Sequence, residues 1–461
     1  MQVHPARHSS KQDSRPLRRT GTWHEGCTAV SRLEETTALE WLPATETQGY
    51  DHQSFGDAQR VRVAALHRRR DLKMARSAHA YVRGSTKSFY EWLESGAGKH
   101  IPEGPTIWIC GDAHVGNLGP IARCNREVAV ELRDLDQTVP GNPAYDLVRL
   151  ALSLAMAARS SDLPGVVTAR LVEELIAGYL DAFADPADES DIEESAAVRF
   201  IVREALRRKW RHLHRERIGK KPRFPVGTRF LPLEPAERAE VEAFLSLERV
   251  RQLVTSLDSR DDAAEIRLRD AAFWVKGCSS LGLWRCAALV EVLGHGRRRA
   301  GYCLLDLKEA VAPLAPPVAP ELVPKHQGER AVRGARALSP ALGQRMVSGT
   351  VAGHEVFVRE LMPQDLKLEL SMFDDVEARA TARALARIVG LGHARQMDES
   401  QSTAWRKLLQ SSSTRSMDAP SWLWSSVVEL VGVHERAYLE HCRRFALGAE
   451  KAREQEVAEN G

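Results

Sequence analysis

Hydrophobic and polar positions divide the chain into segments of different periodicity. Residues 1–50 are polar and irregular, which predicts a mobile tail, whereas residues 57–93 carry apolar residues at helical spacing. Two short apolar runs follow, at residues 106–110 and 127–132, and each predicts a buried strand that ends in a polar segment. Helical spacing then returns and predicts helices as far as about residue 260.

The pattern changes again between residues 265 and 365. Short apolar runs separated by turns that contain glycine or proline are typical of antiparallel strands. One helix is predicted here at residues 326–338. Five strands are predicted around it, at residues 271–275, 283–293, 301–307, 344–350 and 355–361. From about residue 375 the pattern is helical once more.

These patterns predict an α+β fold with a small five-stranded antiparallel β lobe plus one helix and a large, mainly helical lobe. The large lobe is expected at residues 51–264 and the small β lobe at residues 265–365. Residues 366–461 are expected to form helices that pack on the large lobe.

Composition narrows the class of protein. With 43% hydrophobic and 28% charged residues, the chain has the make-up of a soluble globular protein. No apolar run approaches the roughly 20 residues that span a bilayer, so no membrane association is expected. The seven cysteines are scattered without a CxxC pair, which predicts free thiols in a reducing compartment and hence a cytoplasmic location.

One stretch is strongly basic although the net charge is only +3. Residues 199–223 hold eleven Lys or Arg against two Glu. A solvated helix face is the favoured interpretation, because the stretch lacks interleaved aromatic residues and a nucleic-acid-binding motif. The alternative is an anion-binding surface for nucleic acid or a phosphorylated substrate.

The first candidate for chemistry is GDAHVGN, residues 111–117, which directly follows a predicted strand. Asp112 can accept the proton of an attacking hydroxyl, and Asn117 can hold a metal ion through its amide oxygen. A polar turn between two strands is the structural alternative. The next strand leads into RDLDQ, where Asp134 and Asp136 are two positions apart and can face one Mg²⁺ from the same side.

The predicted sheet supplies a second group of candidates. Gly277 and Gly282 bracket KGCSSLG between its first two strands, where backbone N–H groups can approach phosphates. Lys308 ends the third strand, a layout that places an ammonium against ATP phosphates. On the following helix, Glu329 either holds Lys308 through an ion pair or forms a surface pair with Arg333 at i+4.

Together these segments resemble known families. GDAHVGN, RDLDQ and GNPAYDL are similar to the motifs of aminoglycoside phosphotransferases and choline kinases. The set AYVRG, CGDAHVGNLG, DLDQTVPGNPAYDLVRLALSL, LDLKEA and VRELMPQD resembles the uncharacterised bacterial "domain of unknown function 2252" family, which is related to the kinase-like superfamily. The resemblance covers about residues 60–440.

The resemblance implies a bilobal protein-kinase-like fold that is circularly permuted, because the GDAHVGN segment precedes the glycine loop in the chain. It also implies a role for each matching residue. Asp112 would be catalytic, Asn117 and Asp134 would bind the metal, and Asp136 would be an accessory acidic residue. Lys308 would anchor the phosphates with Glu329 as its helix partner, and Asp146 would brace the loop. Cys110 departs from the histidine that usually opens the loop motif.

The expected function is ATP- and Mg²⁺-dependent phosphoryl transfer to an unidentified hydroxyl acceptor, either a small molecule or a protein. Two alternatives remain open. The same site can transfer AMP to protein hydroxyls if ATP binds in the reverse direction, and the chain can be a non-catalytic nucleotide-sensing or scaffold protein.

Overall fold

The computed structural model describes residues 52–161, 163–186, 195–218, 222–294, 301–366, 374–411, 413–414 and 417–459. All of them belong to one unit of the chain, Tyr50–Gly461. The expected mobile tail, residues 1–50, lies outside the described residues.

Helices and strands alternate irregularly along the described residues, as expected for an α+β protein. The α-helices are α1 (His52–Met74), α2 (Ala78–Gly84), α3 (Thr86–Glu94), α4 (Pro143–Ser160), α5 (Gly165–Asp181), α6 (Ala196–Arg207), α7 (Trp210–Arg217), α8 (Pro235–Leu245), α9 (Glu248–Thr255), α10 (Gln327–Leu338), α11 (Pro340–Gly343), α12 (Asp375–Ala394), α13 (Glu399–Ser411) and α14 (Ser421–Glu459). The strands are β1 (Ile107–Ile109), β2 (Leu118–Ala122), β3 (Val128–Leu132), β4 (Val139–Gly141), β5 (Phe230–Leu231), β6 (Ile266–Trp274), β7 (Arg285–Val292), β8 (Gly301–Glu309), β9 (Met346–Val351), β10 (His354–Leu361), β11 (Ser413–Thr414) and β12 (Met417–Pro420).

The largest sheet is antiparallel and has the strand order β5-β6-β7-β8-β10-β9. Its central strands are buried on both faces, which explains their continuous apolar runs. The prediction of five strands was wrong by one. Residues Phe230 and Leu231 pair with Trp274 and Phe273 as a sixth strand, and two residues are too few to produce a periodic signal.

The two faces of this sheet have different partners. On one face, Phe273 and Val290 belong to an apolar core that also contains Phe244 of α8 and Val250 of α9. Helices α8 and α9 therefore pack against the sheet, although they lie in the segment expected to form the large helical lobe. The other face carries apolar residues such as Trp274 toward β6 and charged residues toward β8 and β10.

Two small antiparallel pairs carry the polar segments of interest. β1 pairs with β4, and β2 pairs with β3. The loop from β1 to β2 holds GDAHVGN (hereafter the GDAHVGN loop, residues 111–117), and the connection from β3 to β4 holds RDLDQ (the RDLDQ segment, residues 133–137). Strands β1 and β3 confirm the predictions at residues 106–110 and 127–132. Residues 139–141 form the short strand β4 because they pair with β1.

The helical part of the protein is built around α4. Asn142 caps this helix by accepting a hydrogen bond from the Ala144 amide, and Pro143 occupies its first turn. Most of its residues are buried, and α5, α12 and α14 pack against it. In the described residues, no helix combines the length and apolar character that crossing a membrane requires.

The basic stretch at residues 199–223 lies mainly on α6 and α7, apart from residues 219–221, which are outside the described residues. Arg203, Arg207, Arg211 and Arg215 are exposed, in agreement with the favoured interpretation of a solvated face.

Candidate functional site

The GDAHVGN loop is fixed by hydrogen bonds from a buried carboxylate. Asp146 of α4 accepts the amide N–H of Cys110 at 2.7 Å and that of Gly111 at 2.9 Å. Gly111 has a φ of +73°, and a Cβ atom there would collide with the backbone carbonyl of Gln137. Only glycine fits this position without strain. Asp146 and Gly111 thus constrain the backbone at the start of the loop, and the bracing role that the resemblance implies for Asp146 matches these contacts.

Three further buried side chains hold Asp146 in place. His393 Nε2 lies 3.1 Å from the Asp146 carboxylate, and its Nδ1 lies 2.9 Å from the hydroxyl of Tyr179. The indole N–H of Trp405 donates to that hydroxyl at 3.0 Å. Each side chain in this series, from Asp146 through His393 and Tyr179 to Trp405, has a hydrogen-bond partner, which is the condition for a stabilising buried network.

Asp112 is 8% exposed and is paired with a residue that sequence reasoning missed. Arg149, fully buried on α4, donates from Nε to Asp112 Oδ1 at 2.9 Å and from a terminal nitrogen to the Val82 carbonyl at 2.7 Å. Burial raises the pKa of Asp112, and hydrogen bonds from Arg149 and Thr86 oppose that rise. A carboxylate with a raised pKa is a better proton acceptor. The available signal was a lone arginine in the otherwise apolar run LVRLAL, residues 147–152.

Asn117 joins the GDAHVGN loop to the RDLDQ segment. Its amide oxygen accepts the Asp134 N–H at 2.6 Å, and its amide nitrogen donates to the carbonyls of Asp134 at 2.7 Å and Asp112 at 3.3 Å. The structure thus places Asn117 beside Asp134, with both ends of its amide engaged by backbone. Its predicted role as a metal ligand stays a prediction.

Lys308 brings the large sheet into contact with the RDLDQ segment. Its ammonium lies 2.8 Å from Asp134 Oδ1 and 3.1 Å from Asp136 Oδ2. Desolvation of the Asp134 carboxylate opposes its ionisation, but the positive charges of Lys308 and Arg359 outweigh this effect and hold its pKa well below the usual range. Burial, then the charge of Asp134, raises the pKa of Asp136. Burial alone would lower the pKa of Lys308, but the charges of Asp134 and Asp136 outweigh it and raise that pKa.

Glu329 does not take part in this contact. Its carboxylate lies 2.5 Å from a terminal nitrogen of Arg333, in the surface pair that was the alternative interpretation. Glu329 therefore does not pair with Lys308 in the structure, and the first of the two interpretations of this residue is not the one observed. The residue of α10 that faces the RDLDQ segment is the buried Arg330, which donates to the carbonyl of Asp136 at 2.7 Å.

The glycine loop, residues 276–282, joins β6 to β7 as predicted. Gly277 and Gly282 have φ of +103° and +108°, values that favour glycine. The loop forms a tight turn in which the amide of Leu281 donates to the Cys278 carbonyl at 3.1 Å. The Gly277 carbonyl accepts a hydrogen bond from Lys73 of α1 at 2.9 Å.

A second group of charges extends from Lys308 across the same face of the sheet. Asp306, two residues before Lys308 on β8, contacts Arg285 at 2.6 Å, Lys276 at 3.3 Å and Arg359 at 3.5 Å. Burial opposes ionisation of Asp306, but Arg285 and Lys276 hold its pKa well below the usual range. Burial, with Arg285 and Arg359, lowers the pKa of Lys276 well below its usual range. Even without a charge on Lys276, the two arginines around one carboxylate leave this face (hereafter the Asp306 cluster, with Lys276, Arg285 and Arg359) with excess positive charge.

The residues present are compatible with Mg²⁺. Among the described residues, no three His, Cys, Asp or Glu side chains converge as a metal site. Mg²⁺ often needs only one or two carboxylates together with phosphate oxygens. The ammonium of Lys308 already lies between the carboxylates of Asp134 and Asp136, so this pair attracts a cation. The side chain of Asp134 is 56% exposed and can be reached from solvent.

Comparisons with known proteins give a match to a family. Neither the curated proteins nor the solved structures contain a match to this chain. A family described as "Uncharacterized protein conserved in bacteria (DUF2252)" matches residues 62–444, which include the GDAHVGN loop, the RDLDQ segment and Lys308. The chain belongs to this DUF2252 family.

Proposed function

We propose that this protein is an ATP- and Mg²⁺-dependent phosphotransferase that acts on a hydroxyl acceptor. The observation that carries the proposal is the contact of Lys308 with Asp134 and Asp136, which follow the end of β3. It joins a cation from the sheet to carboxylates from the helical part. Phosphoryl transfer requires such an arrangement of positive charge and metal-binding carboxylates around a triphosphate.

A bilobal, circularly permuted kinase-like fold is part of the proposal. In protein kinases a glycine-rich loop covers the phosphates, the lysine lies on the third strand, and a helix follows. The glycine loop here joins the first two long strands of the sheet, β6 and β7. Lys308 lies on the third, β8, and α10 follows it. These features support the proposal, with the GDAHVGN loop placed before the sheet in the chain.

The proposed roles follow from the environment of each group. Asp134 and Asp136 would hold Mg²⁺, which neutralises charge on the β and γ phosphates. Lys308 would bind the phosphates from the sheet side. Asp112, positioned by Arg149, accepts the acceptor's proton while the acceptor oxygen bonds to the γ phosphorus and the bond from that phosphorus to the bridging oxygen breaks, releasing ADP.

The Asp306 cluster favours a second candidate, AMP transfer. Its excess positive charge lies beside Lys308 on the sheet and provides another position for the terminal phosphates of ATP. With the terminal phosphates there, the α phosphorus would be the one presented to Asp112: the acceptor oxygen bonds to it, and the bond to the β phosphate breaks and releases pyrophosphate instead of ADP. ³¹P NMR of the products distinguishes the two reactions.

Thermal unfolding with ATP, ADP or GTP, each with Mg²⁺ or with EDTA, tests the proposal. ATP at ~100 times its dissociation constant stabilises by about 2.7 kcal/mol, so Mg²⁺-dependent binding should raise the Tm of wild-type protein by about 2–4 °C. Asp134→Ala should lose this shift. Asp112→Ala should keep the shift and lose product formation. Glu329→Ala is the control because that carboxylate contacts only Arg333 among the ion pairs of the described residues.

Two results would contradict the proposal. A wild-type protein whose Tm is unchanged by every nucleotide has no such site. A protein that binds Mg²⁺·ATP but releases neither ADP nor pyrophosphate with any acceptor tested is a nucleotide sensor, the non-catalytic alternative.

A further inference from the structure

Helix α2 contains the motif AYVRG, residues 80–84, to which the proposed function gives no role, and α1 precedes it in the chain. They contact both loops of the proposed site. Lys73, near the end of α1, donates to the carbonyl of Gly277 at 2.9 Å. A Cβ atom on Gly84, at the end of α2, would lie 3.3 Å from the sulfur of Cys278. The helix pair therefore lies directly against the glycine loop.

Arg83 of the same motif lies against the other loop. A Cβ atom on Gly116 would be only 2.9 Å from the guanidinium carbon of Arg83, so the guanidinium rests on the GDAHVGN loop. Gly116 is in the loop that carries Asp112. Within the described part of the chain, no hydrogen bond or ion pair engages the Arg83 guanidinium. A half-buried guanidinium without a partner has five N–H donors to offer.

The cations around Arg83 reinforce one another. Burial, then Arg69 and Arg83, lowers the pKa of Lys73. Burial, then Arg83, lowers the pKa of His79 to about 4, which keeps that imidazole neutral near pH 7. No Asp or Glu within the described ranges forms an ion pair with Arg69, Lys73 or Arg83. An anion at this position would relieve the repulsion and satisfy the unpaired donors.

We propose that Arg83 and Lys73 form a binding site for an anionic group, a phosphate or carboxylate, on the acceptor. The site lies between the glycine loop and the GDAHVGN loop, so an acceptor held there by its anionic group can present a hydroxyl to Asp112. The acceptor would therefore be a hydroxyl compound that also carries a negative charge. Its identification as the acceptor site rests on the proposed function.

Three probes with matched hydroxyl groups test the anion site: glycerol, glycerate and glycerol 3-phosphate. Calorimetric titration of the full chain with Mg²⁺·ADP present should show binding of glycerol 3-phosphate or glycerate and none of glycerol. Removing one charge-assisted contact costs about 10- to 100-fold in affinity, so Arg83→Gln should weaken anion binding by that factor. Arg83→Lys should retain part of it. Comparing the two anions shows whether the site takes phosphate or carboxylate.

Arg68→Gln is the matched control, because Arg68 is an exposed arginine on α1 and the substitution removes the same charge. It should bind the anions as wild type does. Equal anion affinity in wild type and Arg83→Gln overturns the proposal, as does a wild type that binds neither anion. If Arg359→Gln loses anion binding while Arg83→Gln retains it, the proposal is also overturned, since the anion then occupies the Asp306 cluster.

The nucleotide experiment keeps this proposal separable from the proposed function. One outcome is a Tm shift with Mg²⁺·ATP that Asp134→Ala abolishes, together with unchanged anion binding in Arg83→Gln. This outcome overturns the proposed acceptor site and leaves the proposed function standing. Arg83-dependent anion binding without any nucleotide shift supports the anion site and overturns its assignment to an acceptor of phosphoryl transfer.

Discussion

The pair of Arg149 and Asp112 allows a test that needs no knowledge of the acceptor. Arg149→Met keeps the length of the side chain but leaves a carboxylate that is 8% exposed without its cation. It also removes the donor that Arg149 gives to the Val82 carbonyl at 2.7 Å. Breaking a buried ion pair by removing one partner costs about 3–5 kcal/mol. We therefore expect Arg149→Met to be destabilised by about that amount.

A double-mutant cycle separates the pair from the general cost of mutating a buried residue. In Asp112→Asn, the buried Arg149 is left without its carboxylate. The double variant Asp112→Asn/Arg149→Met has no charge at either of these two positions. The double variant should therefore be less destabilised than the sum of the single variants, by about 1–3 kcal/mol. Urea unfolding followed by tryptophan fluorescence provides the free energies of unfolding.

The pH dependence has a defined sign. Removing Arg149 takes away an interaction that lowers the pKa of Asp112, so the pKa in the folded state rises further above the unfolded value. A group with a raised folded pKa loses stability as pH rises from its unfolded to its folded pKa. The destabilisation of Arg149→Met should therefore be largest near neutral pH and shrink toward acid pH, where Asp112 is protonated in both states.

Arg159→Met is the control on the same helix. The Arg159 side chain is 51% exposed and pairs with Glu435 at the surface, so its loss should cost no more than about 1 kcal/mol. Additive effects of Asp112→Asn and Arg149→Met would refute the reasoning. A cost for Arg149→Met as small as that of the control would refute it equally.

Three further predictions follow from the site. Glu329→Gln should leave the Mg²⁺·ATP-dependent Tm shift unchanged and Asp136→Asn should reduce it, because only the second residue contacts the sheet lysine; equal effects would contradict this. Gly111→Ala should cost at least about 1 kcal/mol more in urea unfolding than Gly353→Ala, since both have positive φ but a Cβ atom has open space only at the second position. Because burial raises the pKa of Asp112, the rate of ATP turnover should fall on the acid side at a higher pH than an ordinary carboxyl would give, and a pH-independent rate would contradict a role as base.

The sequence predicted the parts of the fold that have a strong local signal. The long strands β7, β8 and β10 lie where apolar runs between turn residues placed them, and both glycines of the glycine loop have positive φ. The predicted strand at residues 271–275 is only the end of β6, which begins at Ile266. β5, with two residues, and β4, with three, have no such signal, because their pairing depends on residues distant in the chain. Helices α8 and α9 precede the predicted sheet in the chain and pack against it, which the sequence does not show because amphipathicity indicates that a helix packs but not on which surface.

Residue partners were harder to predict than residue positions. Asp134 and Lys308 are 174 residues apart in the chain, and their proximity was expected only from the resemblance. The i+4 pair of Glu329 and Arg333 is a local feature that any exposed helix can form. Of the two interpretations of Glu329, this pair is the one observed in the structure. Asp306 lies two residues before Lys308 on a strand, so the alternation of side chains placed it on the same face, but its three cationic partners come from β7, β10 and the glycine loop.

The arrangement of α4 explains why one helix controls both features of the GDAHVGN loop. Asp146 and Arg149 are three residues apart and therefore share a face of the helix. Asp146 fixes the backbone of the loop through two amides, and Arg149 fixes the carboxylate of Asp112. Because α4 is buried along most of its length, neither side chain can move without displacing core residues. The geometry of Asp112 is thus determined by the packing of the helical core, so core substitutions in α4 that preserve folding should still alter the position of Asp112 and hence any reaction in which it acts.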